Sequence, residues 1–349
     1  MYTKLFVERT KHFLFRPPLL DYLCVDNYKH SHRAAGVAAG VGHKEAQKVN
    51  PDGSMSFDLY FCRKNNSIPA IPELKEYFLA LPHFNVSDVD ASGVQFWYEN
   101  EITGVYCDFS YSPLDAKEVE GCGSSGLTFN LNYLRPSFFA YETMPLVEAF
   151  CKRFDLVVED SQEETVEPAD AERLIVSWRS HNARAVRVMI QTADEHEIEM
   201  HYLPEHRATE WWRYTSVQQR IEDAVTEDIF VPSVMVLRGP TKKLFTLLLW
   251  PNGIAQFFPP CDYVYVQREK KRLFKTKDER GLVPYRSVLE TIEPLLDEYE
   301  FHDLHIKYLS PDKAAEAEPL VQTLNLEPID LSQYGQVPSD KFHDVEVSE

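Results

Sequence analysis

Between Met55 and Val158 the apolar residues change period in a set order, and that order restricts the fold more than any other feature of the chain. In MSFDLYFCR, Phe57, Leu59 and Phe61 alternate with Asp58, Tyr60 and Cys62, the two-residue period of a half-buried strand. Residues 70–81 place Leu74, Tyr77, Phe78 and Leu81 at helical spacing, with Pro72 suited to a first turn and Pro82 closing it. Aromatic and β-branched runs at 93–100 (GVQFWYEN) and 103–111 (TGVYCDFSY) read as a hairpin, and 127–131 as another strand. Helical spacing returns at 138–154, where Met144, Val147, Phe150, Cys151 and Phe154 share a face, before a strand at 156–158. This is the split βαβ order of a ferredoxin-like domain with one strand added, a sheet with its helices on one face.

The acidic stretch DSQEETVEP at 160–168 ends in Pro168 and reads as a linker or a helix approach. Residues 169–191 and 209–225 are expected to be helical, the second with Trp212, Val217, Ile221 and Val225 on or near one side. Strands follow at 229–238 and 244–249 around Gly239-Pro240-Thr241-Lys242, and at 262–267, forming an antiparallel meander. Pro284 opens a helix reaching to about residue 298, followed by a strand at 304–309 and a helix at 314–324. The expected class is therefore α+β. Residues 1–54 form a weakly ordered basic extension, 55–160 the ferredoxin-like domain, 161–326 a second α+β domain, and 327–349 a loosely held acidic tail.

Charge separates the first segment from the rest. The formal net charge is −19, from 55 acidic and 36 basic residues. Residues 1–54 carry eight Lys or Arg against five Asp or Glu, which leaves −22 on the remaining 295 residues. Met55, directly before the first core strand, is expected to be the native start. A surface so acidic repels nucleic acid. The one basic stripe, Arg268, Lys270, Lys271, Arg272, Lys275 and Lys277, reads as a solvated loop or a face meeting acidic neighbours. No apolar run approaches the length of a membrane helix, and Glu8, Arg9, Lys11 and Arg16 interrupt any secretory core at the N-terminus. Six cysteines, Cys24, Cys62, Cys107, Cys122, Cys151 and Cys261, lack CxxC spacing and are expected to be reduced thiols in a cytoplasm, with no zinc site.

Motifs with catalytic spacing are sparse. Residues 121–126 (GCGSSG) match G-x-G-x-x-G, but a strand rather than a helix follows, so they read as a connector. His196 and His201 stand five apart, on different faces of a helix or strand, and read as a solvated segment. Asp58, Glu99 and Asp108 can converge on the open face of the first sheet, the donor set of a magnesium-dependent hydrolase or nuclease. One-sided antiparallel sheets also place polar residues there routinely. Asn130, Asn132, Tyr133 and Arg135 in FNLNYLRPSFF serve either a helix entry at Arg135-Pro136-Ser137 or a partner-binding edge. Of Trp211 and Trp212 one belongs in the core, leaving Trp211 as a partner-binding candidate.

The segments MSFDLYF, ENEITGVYCDFSY and GLTFNLNYLRPSFFA, the second overlapping Trp97-Tyr98-Glu99-Asn100-Glu101-Ile102-Thr103-Gly104-Val105-Tyr106, resemble a bacterial group whose members begin MSFDLYF and carry W-Y-x-N-x-x-T-G-V-Y. IFVPSVMVL and LLWPNGIAQFFPPCDYVYV extend the resemblance over residues 55–325. That group has no assigned activity, so no catalytic residues are implied. In charge and size class it is analogous to immunity proteins that neutralise bacterial toxins. The expectation is a cytoplasmic protein-binding protein, an immunity- or antitoxin-like inhibitor with a basic protein partner and no cofactor. The alternatives are the carboxylate-cluster hydrolase and a non-catalytic subunit of a defence or secretion assembly.

Overall fold

The computed structural model describes residues 56–63, 69–89, 93–112, 123–163, 165–192, 200–272 and 275–347. The extension expected over 1–54 lies outside them. Two compact units divide between Trp212 and Arg213 rather than at 160/161, and residues 338–347 return to the first unit.

The first unit runs β1 (Ser56–Arg63), α1 (Ile71–Leu79), β2 (Phe84–Val86), β3 (Val94–Asn100), β4 (Val105–Tyr111), β5 (Gly123–Asn132), α2 (Phe138–Phe154), β6 (Val157–Asp160), β7 (Thr165–Pro168), α3 (Ala171–Gln191), β8 (His201–Tyr202) and α4 (Glu205–Thr215). Seven strands form one antiparallel sheet in the order β2-β3-β4-β5-β1-β6-β7. Strict alternation decides its two faces. Phe57, Leu59, Phe61, Phe96, Phe109 and Phe129 are all buried on one side, under Leu74 and Phe78 of α1 and Met144, Val147 and Phe150 of α2. Phe78 centres this core, with ring centroids 4.3 Å from Phe96, 5.0 Å from Phe109 and 5.3 Å from Phe150. The glycine-rich run enters β5, beside a register shift between Phe61 and Cys62 of β1.

The acidic stretch at 160–168 is a hairpin, not a linker: Val157 pairs with Pro168 and Asp160 with Thr165. Its composition conceals a buried carboxylate. Asp160 is fully buried, accepting from the Gln162 amide at 3.0 Å and the Ser177 hydroxyl at 2.8 Å. That bond draws α3 into the first unit, so the chain does not change unit here.

The second unit comprises α5 (Gln218–Ala224), β9 (Val234–Arg238), β10 (Leu244–Pro251), β11 (Gln256–Phe258), β12 (Tyr263–Arg272), β13 (Lys275–Pro284), α6 (Tyr285–Ile292), β14 (Leu296–Phe301), β15 (Leu304–Leu309), α7 (Ala314–Val321) and β16 (Gly335–Gln336). Its sheets are β13-β12-β10-β9-β16 and β11-β15-β14. Three expectations need correction. The meander fails because β12 pairs parallel to β10, the chain crossing through β11 between them. The helix from Pro284 stops at Ile292, since Pro294 lies in a short 3₁₀ turn and the chain re-emerges as β14. The helix over 209–225 is broken at 216–217 into α4 and α5.

The basic stripe occupies the β12–β13 hairpin. Arg268 turns inward at 6% exposure, donating from Nη1 to the carbonyls of Val321 and Leu324 at 2.7 and 2.9 Å and pairing with Glu279. It closes the carbonyl end of α7, a capping role for a cation.

The tail is not loosely held. Residues 335–336 extend the larger sheet along β9, and β17 (Phe342–His343) pairs parallel with β8. Phe342 is fully buried, its ring 6.2 Å from that of Phe138. Asp344 accepts from the Ser137 amide at 2.7 Å and hydroxyl at 3.1 Å, filling the start of α2 from a distant part of the chain. Phe342→Ala is therefore expected to destabilise the first unit by about 3 kcal/mol, measured by urea unfolding; a loosely held tail would give no change.

Candidate functional site

The face of the first sheet opposite its helices carries the residues singled out by the sequence. Register aligns Trp97 of β3, Asp108 of β4, Asn130 of β5 and Asp58 of β1 in one row across four strands. Asn130 donates from Nδ2 to Asp58 Oδ1 at 2.7 Å, and the Ser56 hydroxyl to Oδ2 at 3.0 Å. Both oxygens of Asp58 are thus served by donors. Asp108 has no such donors among the described residues. Burial, and after it the Asp58 charge, pushes its carboxyl up to about 7.

Glu99 does not join them. It sits one row along, exposed, directly across from Tyr106, and among the described residues no three His, Cys, Asp or Glu side chains form a metal-holding group. Arg135 occupies that second row. Its Nε and Nη2 donate to the Tyr106 hydroxyl at 3.1 and 2.5 Å, and its guanidinium lies 5.6 Å from the Tyr106 ring centre. Asn132 is half-buried on the same face, across from Ser56.

Two partner-binding candidates pack against core rings. Tyr133 is 4% exposed, packed 6.3 Å from Phe57 and 6.2 Å from Trp178, because β5 ends at Asn132 and the next side chain turns into the core. Trp211 is half-buried, 5.7 Å from the Phe138 ring. The exposed tryptophan is Trp97, at 44%. Alternation in GVQFWYEN carries that signal, since Phe96 and Tyr98 point inward and leave Trp97 outside.

Glu142 is the residue that sequence reasoning missed. Its Oε1 accepts from the Tyr98 hydroxyl at 2.8 Å, Asn100 Nδ2 at 2.8 Å and the Thr103 hydroxyl at 3.0 Å, while Oε2 accepts from Trp212 Nε1 at 2.6 Å. Three of its partners, Tyr98, Asn100 and Thr103, are among the fixed positions of W-Y-x-N-x-x-T-G-V-Y. Asn100 and Thr103 also accept from the Ile102 and Val105 amides in the turn, and Gly104 supplies a positive φ of 69° where a Cβ would strike Ser339. The motif is a carboxylate cradle that locks the β3–β4 turn onto α2 and α4.

A cavity of ≈ 670 Å³ runs beside α3, lined among others by Arg179, Arg187, Glu205, Asp344 and Glu346. Much of its charge is already matched: Arg179 bonds Glu205 at 2.5 Å, and Asp344 serves Ser137. Burial of Asp344 raises its carboxyl to about 6.

Cysteine usage departs from expectation at one position. Cys62 is disulfide-bonded, with its partner outside the described residues, whereas Cys107, Cys151 and Cys261 are buried thiols. Burial pushes the Cys151 thiol up to about 12, which removes it as a nucleophile. The segment 193–199, which includes His196, lies outside the described residues. Among the described residues no helix is long and apolar enough to cross a membrane. Compared with protein families, curated proteins and solved structures, the chain matches none of them.

Proposed function

We propose that this chain is a cytoplasmic protein-binding protein, an immunity- or antitoxin-like inhibitor that docks a basic partner on the open face of its first sheet. The observation that carries the reading is Trp97, 44% exposed in the middle of a paired strand with carboxyl groups across from it and beside it. Tryptophan, tyrosine and arginine dominate binding energy at protein interfaces, and a net charge of −22 beyond residue 54 accelerates encounter with a basic surface. In this reading the first unit is ferredoxin-like. What supports that is the order β6-β1-β5-β4, with α1 between β1 and β4 and α2 between β5 and β6, and with β2, β3 and β7 as edge additions.

A photo-crosslinking residue at position 95, exposed on the same face of β3 as Trp97, tests the proposal in the native cell. Stoichiometric capture of one basic protein, absent with the crosslinker at exposed position 298, is the expected result. No captured protein from position 95 overturns it.

A second reading, a metal-dependent hydrolase or nuclease on Asp58, Glu99 and Asp108, draws on the raised Asp108 carboxyl. Glu99 in the neighbouring row weighs against it.

A further inference from the structure

One pairing occurs twice on the open face of the first sheet, and among the described residues an arginine lies against the ring of one copy. In the first copy Glu99 of β3 stands across from Tyr106 of β4, and Arg135 of the same chain lays its guanidinium against the tyrosine ring at 5.6 Å. Two residues along both strands, Trp97 stands across from Asp108. Again an aromatic ring and a carboxyl face each other across adjacent strands, with the strands exchanged. Here no cation covers the ring and no donor reaches the carboxyl among the described residues.

We propose that this second pair is a seat for an arginine guanidinium presented by a basic protein partner, stacked on Trp97 and hydrogen-bonded by Asp108, with Glu99 alongside. The inference rests on the open face being the docking face. Directly opposed side chains have Cβ atoms about 5 Å apart, so a cation over the indole lies within reach of the carboxyl across from it. Tryptophan is the strongest aromatic partner for a cation. A planar guanidinium stacks on a ring while its edge donates to a carboxylate, which a lysine ammonium does not do. Trp97 is 44% exposed and Asp108 half-buried, so a guanidinium carried on the surface of another protein would meet the indole first and the carboxyl at its edge. At the first pair Arg135 is held by the ring and hydroxyl of Tyr106 and not by Glu99, so what it offers as a precedent is the contact of a guanidinium with an aromatic side chain on this face.

The test uses the full chain and two probes, octa-arginine and octa-lysine, titrated at 150 mM salt or about that ionic strength. The unaltered protein is compared with Trp97→Ala, Asp108→Asn and, as a control in the second unit, Glu298→Gln. Octa-arginine is expected to bind more tightly than octa-lysine. Trp97→Ala should weaken octa-arginine about tenfold and Asp108→Asn about threefold, while Glu298→Gln has no effect. The indole N–H resonance that disappears in Trp97→Ala should shift on titration. Octa-arginine binding that ignores Trp97, or that never exceeds octa-lysine, overturns the seat. A partner captured from position 95 alongside that result would leave the docking face standing, so the two readings fail separately.

Discussion

Glu142→Ala is expected to lower the stability of the protein by about 4 kcal/mol. Four donors, from Tyr98, Asn100, Thr103 and Trp212, converge on this carboxylate. Tyr98, Asn100 and Thr103 are all buried, so removing their acceptor strands several donors away from bulk water. Each costs on the order of 1 kcal/mol or more; because Glu142 itself is half-buried, entering water recovers part of the sum. Glu142→Gln keeps the shape but replaces one acceptor with a donor facing donors, and should cost about 2 kcal/mol. Trp212→Phe deletes a single bond and should cost about 1 kcal/mol. Urea unfolding of the three variants decides the matter. Equal losses for Glu142→Ala and Trp212→Phe would mean that the cradle is not the anchor.

Asp108→Asn should do the opposite and stabilise the protein, increasingly so as the pH rises. The ordinary value for this carboxyl is 3.8 and the folded environment pushes it up to about 7. The unfolded chain therefore releases the proton at a lower pH than the folded one. Between the two values the folded state binds more protons, so the stability Asp108 contributes is fully present below pH 3.8 and is lost as pH climbs to about 7. Asparagine stays neutral throughout. Its advantage over aspartate is expected to be larger at pH 8 than at pH 5 by about 2 kcal/mol, and constant above pH 8. A flat difference across that range would contradict the shift. A residue whose ionisation costs stability, beside an exposed tryptophan, fits the trade between stability and function found at binding sites.

Much of this was legible before any coordinates. Alternation in MSFDLYFCR and GVQFWYEN determined which side chains of β1 and β3 enter the core, because a two-residue period leaves no choice once one face is buried. It also set Trp97 outward. The helical spacing of Phe78 and of Met144, Val147 and Phe150 located α1 and α2 within two residues at most ends. Local turn chemistry likewise placed the β9–β10 hairpin at Gly239-Pro240-Thr241-Lys242.

What the chain alone did not disclose depends on contacts between residues far apart in sequence. Asp160 reads as a linker acid until Ser177 is found against it, 17 positions later, and Asp344 as a tail acid until it meets Ser137, 207 positions earlier. The parallel pairing of β10 with β12 and the inward turn of Arg268 onto α7 have the same character. Periodicity is a local property, set by each side chain's direction from its own backbone, so composition and spacing determined the elements and their faces. A polar side chain's role is set by whichever donor or acceptor the fold brings to it. Only the tertiary structure decided that W-Y-x-N-x-x-T-G-V-Y is a cradle for Glu142, and that Asp108, unlike Asp58 beside it, meets no donor among the described residues.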